Sequence, residues 1–373
     1  TSDLQGLATS DTKDDETTVL PSVFFESKRS GFASSQKITT QLSALQLDND
    51  ESHEMVRWTH LSKLEDKARF GSGFLNGSAA LLSSYYDIQS NATSTTQTSE
   101  FGQINSVISA GYRVPFAVQV KDASFLLEPR IQATFIAGSD RTDEVPNRDS
   151  SDFRLDEANI FLSNQFQGRD YILPGSHVNA GVTAISNSEL IGDVSAFAGL
   201  SYRSSGKTPS GLTSDGSEKI SDYVASVRLD TPYDVDLYWS GRASSHDFKL
   251  NESDALLRYN SNGTSISFRH KQVAKAYFSS AVEDKEEASL VISQKVFDDI
   301  TVIADQAWNL SGGQTKRNTS TYRLLWSGGL QDCVTLSLDY KRDPFTDRDV
   351  KNIKELQLLI TFKHLGSLPE FSR

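Results

Sequence analysis

Only one cysteine, Cys333, and one methionine, Met55, occur among 373 residues. No disulfide can therefore form within the chain. Scarce sulfur beside abundant Ser, Thr, Gly and aromatic residues suits a secreted or cell-envelope β protein better than a cytosolic enzyme. No apolar run approaches the roughly 20 residues that a spanning helix needs, and mean hydropathy is -0.41, so a helical membrane protein is excluded. Positive charge is also short: Lys+Arg 37 against Asp+Glu 49 gives a net charge of -12. With no basic stripe to neutralise phosphates, nucleic acid is not an expected partner. Thr1 to Thr18 is polar and acidic, unlike the basic patch and apolar stretch of a signal peptide, and reads as the start of a mature, processed or partial chain. No fixed motif recurs at a period of roughly 20–50 residues, which disfavours propellers and solenoids.

What is present is alternation. From Ile191 to Arg203, Val194, Ala196, Ala198, Leu200 and Tyr202 alternate with Asp193, Ser195, Phe197, Gly199, Ser201 and Arg203. Period two over this length means a β-strand with one apolar and one wet face. The same pattern runs through Val178–Ala184, Tyr223–Leu229, Val235–Trp239 and Val334–Tyr340, with acids and arginines recurring on the wet side. Asn76-Gly77, Asn262-Gly263, Asp298-Asp299 and Gly328-Gly329 are turn dipeptides, so the connections are hairpins and the sheet is antiparallel.

The pattern predicts about 17 strands near the ~9–11 residues of a tilted transmembrane strand. They include Val19–Glu26, Lys37–Leu47, Arg69–Phe74, Ala79–Ile88, Ile104–Val114, Phe125–Ile136, His177–Ser186, Gly192–Arg203 and Leu356–His364. The polar intervals Ser90–Ser99, Gly138–Ser151 and Ser204–Glu218 read as surface loops. Tyr85, Tyr86, Trp239, Trp308, Tyr322, Trp326 and Tyr340 fall in or at the ends of strands, where an interfacial ring can bury its body and hydrate its polar atom. So many strands exceed what an open twisted sheet carries, and closure removes the exposed edges. The fold class is all-β: an antiparallel transmembrane β-barrel of the outer-membrane type, or the later strands of a larger one. Residues 1–17 form a polar leading segment, 18–365 the barrel and 366–373 a C-terminal tail.

Val145 to Asp170 breaks the alternation. Its three blocks are Pro146, Asn147, Asp149 and Ser150; then Asn159 and Phe161; then Phe166, Gly168 and Asp170. The blocks resemble the barrel of the lipopolysaccharide-assembly outer-membrane protein family LptD. Arg148 stands where that family usually has an acid, and Gln165 and Tyr171 where it usually has arginines. The C-terminal part is similar as well, from Tyr322-Arg323 through Asp332-Cys333 and Leu338–Asp343 to a closing strand ending Phe362–Gly366. Family chains are longer, with a periplasmic domain and earlier strands, so this chain resembles the later portion of the barrel.

The resemblance implies transport without covalent chemistry. Lipopolysaccharide arrives from periplasmic bridge proteins, its lipid leaves through a lateral opening between first and last strands, and an outer-membrane lipoprotein plugs the lumen. Leu356, Leu358, Ile360 and Phe362 would then line one side of the seam, although for the individual side chains an ordinary closing strand is the preferred reading. Cys333 corresponds to a cysteine that the family ties to its periplasmic domain. The Val145–Asp170 loop would fold into the lumen and contact the plug or the glycolipid. The plainer alternative is structural, with Pro fixing a turn, Asn and Asp satisfying local donors and Gly allowing a positive φ.

No cofactor or metal is expected: His53 and His60 lack ligand spacing with carboxylates, and His177 falls on the wet side of its strand. Gly206-Lys207-Thr208 is a surface turn and not a phosphate loop, because the preceding glycine, Gly199, is too far upstream. The competing functions are a passive porin, an outer-membrane lipid hydrolase, for which no nucleophile elbow is present, and a soluble β-sandwich.

Overall fold

A computed structural model describes residues 18–31, 33–49, 53–90, 97–139, 141, 144–145, 155–165, 171–206, 219–274, 284–311, 318–328, 334–343, 353–362 and 366–367. The strands are β1 (Thr18–Ser30), β2 (Lys37–Asn49), β3 (His53–Phe70), β4 (Gly73–Ser90), β5 (Gln97–Arg113), β6 (Phe116–Val120), β7 (Ala123–Gly138), β8 (Gly175–Ser188), β9 (Gly192–Ser205) and β10 (Tyr223–Asp230). They continue as β11 (Val235–Ala243), β12 (Leu250–Ser261), β13 (Thr264–Val273), β14 (Lys285–Phe297), β15 (Ile300–Asn309), β16 (Asn318–Gly328), β17 (Val334–Asp343), β18 (Ile353–Phe362) and the two-residue β19 (Gly366–Ser367).

All belong to one sheet in which sequence neighbours pair antiparallel. β5 and β6 are one arm: both pair with β7 in a single register, Arg113 opposite Arg130 and Phe116 opposite Leu127. Pro115, which has no N–H to give the ladder, interrupts the arm between them. Short turns gather at one end of the sheet, at 71–72, 121–122, 189–191, 262–263 and 298–299, and β7 ends and β8 begins at the other. Because the strands alternate in direction, β1 and β18 run the same way. Among the described residues no ladder joins them.

The two faces differ as the alternation requires. On β5 and β7, Ile104, Ile108, Ile131 and Phe135 are exposed outward, while Asn105, Val107, Ser109, Thr134 and Ile136 are buried on the inner side. Trp58, Leu81, Tyr85, Phe268, Tyr322, Leu324 and Leu338 extend the apolar outer surface around the sheet. An apolar surface this continuous is unsustainable in water and is the lipid-facing side of a barrel wall.

Three local expectations are corrected. The segment Arg69–Phe74 is not a strand but a reversal between β3 and β4, with Gly71 at φ 57. β3 itself escaped notice because both its faces are mixed: Met55 and Leu61 point inward among Arg57 and Thr59, and His60 and Ser62 point outward among Trp58 and Leu64. Asn76-Gly77 does not turn, lying within β4, where Asn76 pairs with Gly111 and its amide fills the space a side chain there would need. Asn262-Gly263 and Asp298-Asp299 do form turns. Tyr86 is not an interfacial ring: it is fully buried on the inner face and stacks on Phe101 at 5.2 Å.

Candidate functional site: the inner face and its folded-in segment

The connection between β7 and β8 turns back onto the inner face of the sheet. Gly138–Ser151 was expected on the surface, yet Val145 is buried against Met55, Tyr86, Ile88 and Phe101 of β3, β4 and β5. Arg141 lies over the Phe101 ring at 4.5 Å. The reason is visible on the strands: Met55, Tyr86, Ile88 and Phe101 form an apolar patch on a face that is otherwise polar, and only an apolar partner from inside can cover it.

Residues 155–165 dock further along. The backbone N–H of Asp156 donates to Asn159 Oδ1 at 2.8 Å and the N–H of Asn159 donates to Asp156 Oδ1 at 2.9 Å. This reciprocal pair closes a tight turn that satisfies its own backbone locally. It aims Leu155 and Ile160, both 0% exposed, at Phe197 of β9 and Val224 of β10. Burying a side chain such as Ile160 contributes about 1.5–3 kcal/mol. Room is made by two inward-facing glycines. A Cβ on Gly199 would lie 2.8 Å from the Phe197 ring and 3.0 Å from Ile160 Cδ1, and one on Gly181 would lie 2.9 Å from the same ring.

Polar contacts pin the rest. Gln165, 5% exposed, donates from Nε2 to Asn179 Oδ1 at 3.1 Å and to Ser201 Oγ at 3.3 Å. A neutral amide thus ties the segment to the wall. Gln132 Nε2 donates to the carbonyl of Phe161 at 2.9 Å, and the Phe161 ring meets Phe197 edge-on at 6.3 Å. Arg203 Nη2 donates to the carbonyls of Leu173 and Pro174 as the chain leaves for β8. Ile172 packs with Leu82, Val107 and Ile136. His177, 2% exposed, faces this inner side directly opposite Thr134.

From β11 onward the inner face has a different character. Arg269 of β13 holds Asp254 of β12 through two bonds of 2.8 and 2.5 Å, and Arg323 of β16 grips Asp339 of β17 at 2.6–2.9 Å. These forked pairs lie along the wall, and among the described residues no connecting segment buries them. Glu355 and Gln357 continue the polar side onto β18.

Of the expected site residues, Asn159 and Phe161 come together in the folded-in turn. Pro146, Asn147, Asp149, Ser150, Phe166, Gly168, Asp170 and Cys333 lie outside the described residues. So do Lys207 and Thr208. Leu356, Leu358, Ile360 and Phe362 share the outer side, in register with Tyr340, Leu338, Leu336 and Val334. Leu356 and Leu358 are 64% and 57% exposed. Leu155, Ile160, Gln165, Gly181 and Gly199 were not anticipated. Their signal was the placement of Phe197 and Val224, apolar residues in the polar phase of their strands, with Gly199 two residues after Phe197 in that phase.

The family model described as LptD, LPS transport system D, matches residues 1–318, so the C-terminal similarity from Tyr322 onward lies beyond the matched span. No curated protein matches the chain. The inward-facing polar wall, the outward apolar band and a match over most of the sequence agree: this chain belongs to the LptD family of lipopolysaccharide transport components.

Proposed function

We propose that this chain inserts lipopolysaccharide into the outer leaflet of the outer membrane, carrying the sugar and phosphate portion through a hydrated lumen while the acyl chains leave by a lateral seam. On this reading residues 18–365 form one barrel domain, with 1–17 leading into it and 366–373 as a tail. The short turns face the periplasm and the long connections face outward, as in other outer-membrane barrels. β18, with Leu356, Leu358, Ile360 and Phe362 on its lipid side, borders the seam. The edge of β18 beyond β17 carries only the short β19 pairing among the described residues, and β1 runs parallel to it. A parallel pairing is slightly weaker per residue than an antiparallel one. Weak pairing suits a seam that must part.

The transport step needs no covalent chemistry and no cofactor. A sugar or phosphate group in hydrocarbon would leave its polar atoms unsatisfied, at several kcal/mol each. An inner wall bearing Arg269, Asp254, Arg323 and Asp339 replaces that lost hydration. This wall is the observation that carries the proposal. The partners are lipopolysaccharide, periplasmic bridge proteins that deliver it and a lipoprotein plug in the lumen, touched by the folded-in segment. Cys333 is positioned in sequence to bond a cysteine outside this chain.

Depletion tests the reading. Newly made lipopolysaccharide should stop reaching the cell surface while inner-membrane stocks rise; unchanged surface delivery would remove the transport role.

A further inference from the structure

Arg113 of β5 and Arg130 of β7 face each other directly across the ladder on the inner side. Like charges in that position are destabilising. One carboxylate answers them: Glu128 Oε2 accepts from Arg113 Nη1 at 2.9 Å. Arg130 has no such partner among the described residues. Its Nη2 donates to the neutral Gln132 Oε1 at 3.1 Å, and its Nε is buried with no acceptor. The guanidinium carbon lies 4.1 Å from the centre of the Phe161 ring, and the Phe161 carbonyl is itself fixed by Gln132. Arg113 is likewise braced, 5.2 Å over the Phe74 ring.

These contacts hold two planar cations in place and, among the described residues, set two arginines against one carboxylate, in a chain whose net charge is -12. The pair borders the lower edge of the folded-in segment. Toward the short turns, Ala117 and Gln119 on the same face are exposed, so a ligand entering from that end meets the pair first. A braced guanidinium matches a phosphate, which accepts forked bonds from a planar cation.

We propose that Arg113 and Arg130 form a phosphate-binding subsite on the lumen wall that receives the phosphorylated head of the glycolipid. The inference rests on the transport reading above and names where on the wall the anionic group is held. Glu128 keeps the pair from binding too tightly for release, and the Phe161 turn ties the subsite to the folded-in segment.

The test uses the full chain in detergent and measures its binding to lipid A carrying two phosphates, to dephosphorylated lipid A, and to inorganic phosphate at fixed ionic strength. The unmodified chain should prefer the phosphorylated lipid. Arg130→Gln and Arg113→Gln should each weaken that binding by about tenfold, the order expected for one charge-assisted hydrogen bond, and leave the dephosphorylated lipid unaffected. Arg113→Gln leaves the Phe161 stack intact, which separates ligand loss from unseating of the segment. Arg228→Gln, which removes an exposed guanidinium already held by Asp230 of its own strand, should change nothing. Equal binding of both lipids, variants that retain the preference, or binding of free phosphate with no preference for the phosphorylated lipid would overturn the subsite while leaving transport standing. Failure of either lipid to bind the unmodified chain would instead strike the transport reading beneath it.

Discussion

The inner faces of β3–β10 and of β11–β18 derive from the same alternating pattern and end up unlike each other. In the first, Met55, Tyr86, Phe101, Ile136, Phe197 and Val224 are buried with Val145, Leu155, Ile160 and Ile172 of the β7–β8 connection, and polar side chains such as Asn105, Gln132 and Asn179 are buried there too. In the second, Arg242 and Asn251 are buried at one end of β11 and β12, and beyond them arginines settle with carboxylates on neighbouring strands in partly exposed pairs. An apolar residue on the inner phase has to be covered from inside, whereas a charged one is content with water or a polar passenger. The difference divides the wall into an occupied half and a half left open to whatever crosses it.

Ile160→Ala attacks the occupied half, and it should cost about 2–5 kcal/mol, because the site is fully enclosed and cannot collapse easily. The loss is read as a lower denaturant midpoint together with faster proteolysis within 139–174; a midpoint unchanged from the parent would mean the segment is not packed on the wall. On the outer face the two halves should behave alike. Replacing Val182 or Leu200 by Arg, or Leu324 in the other half, is expected to cost roughly 2–4 kcal/mol near the bilayer midplane. Neutral outcomes at all three positions in refolding titrations into lipid vesicles would indicate an outer face in water. The smallest effect belongs to the open half: Arg323→Ala should cost about 0.2–1 kcal/mol and less in high salt, since the pair is solvated. A salt-independent loss as large as that of Ile160→Ala would erase the contrast between the halves.

Much of the wall could be read from the residues alone. The runs predicted as His177–Ser186 and Gly192–Arg203 lie within β8 and β9, and their apolar sets share one face because Ala180 pairs with Leu200 and Val182 with Ala198. Where alternation was absent, the strand was missed. β3 mixes apolar and polar residues on both faces because it packs Val145 on one side and meets the lipid boundary on the other. Asn76-Gly77 misled for a related reason, since a dipeptide that prefers a turn was overridden by the space available opposite Gly111. Within the candidate site, Asn159 and Phe161 were found only through family resemblance. Leu155, Ile160 and Gln165 carry no periodic signal because an irregular segment has none.

Composition and alternation by themselves determined that this chain forms hairpins with one apolar and one polar face, since side chains on a strand must point to opposite sides whatever surrounds them. They could not say that Val145, residues 155–165 and Ile172 would pack on the inner face. That outcome depends on Val145, Leu155, Ile160 and Ile172 meeting apolar residues from six different strands, a set assembled only when the sheet has curved and its register is in place. The position of Arg130 against Arg113 was decided in the same way: seventeen residues apart in sequence, they become neighbours because the hairpin register sets them opposite each other.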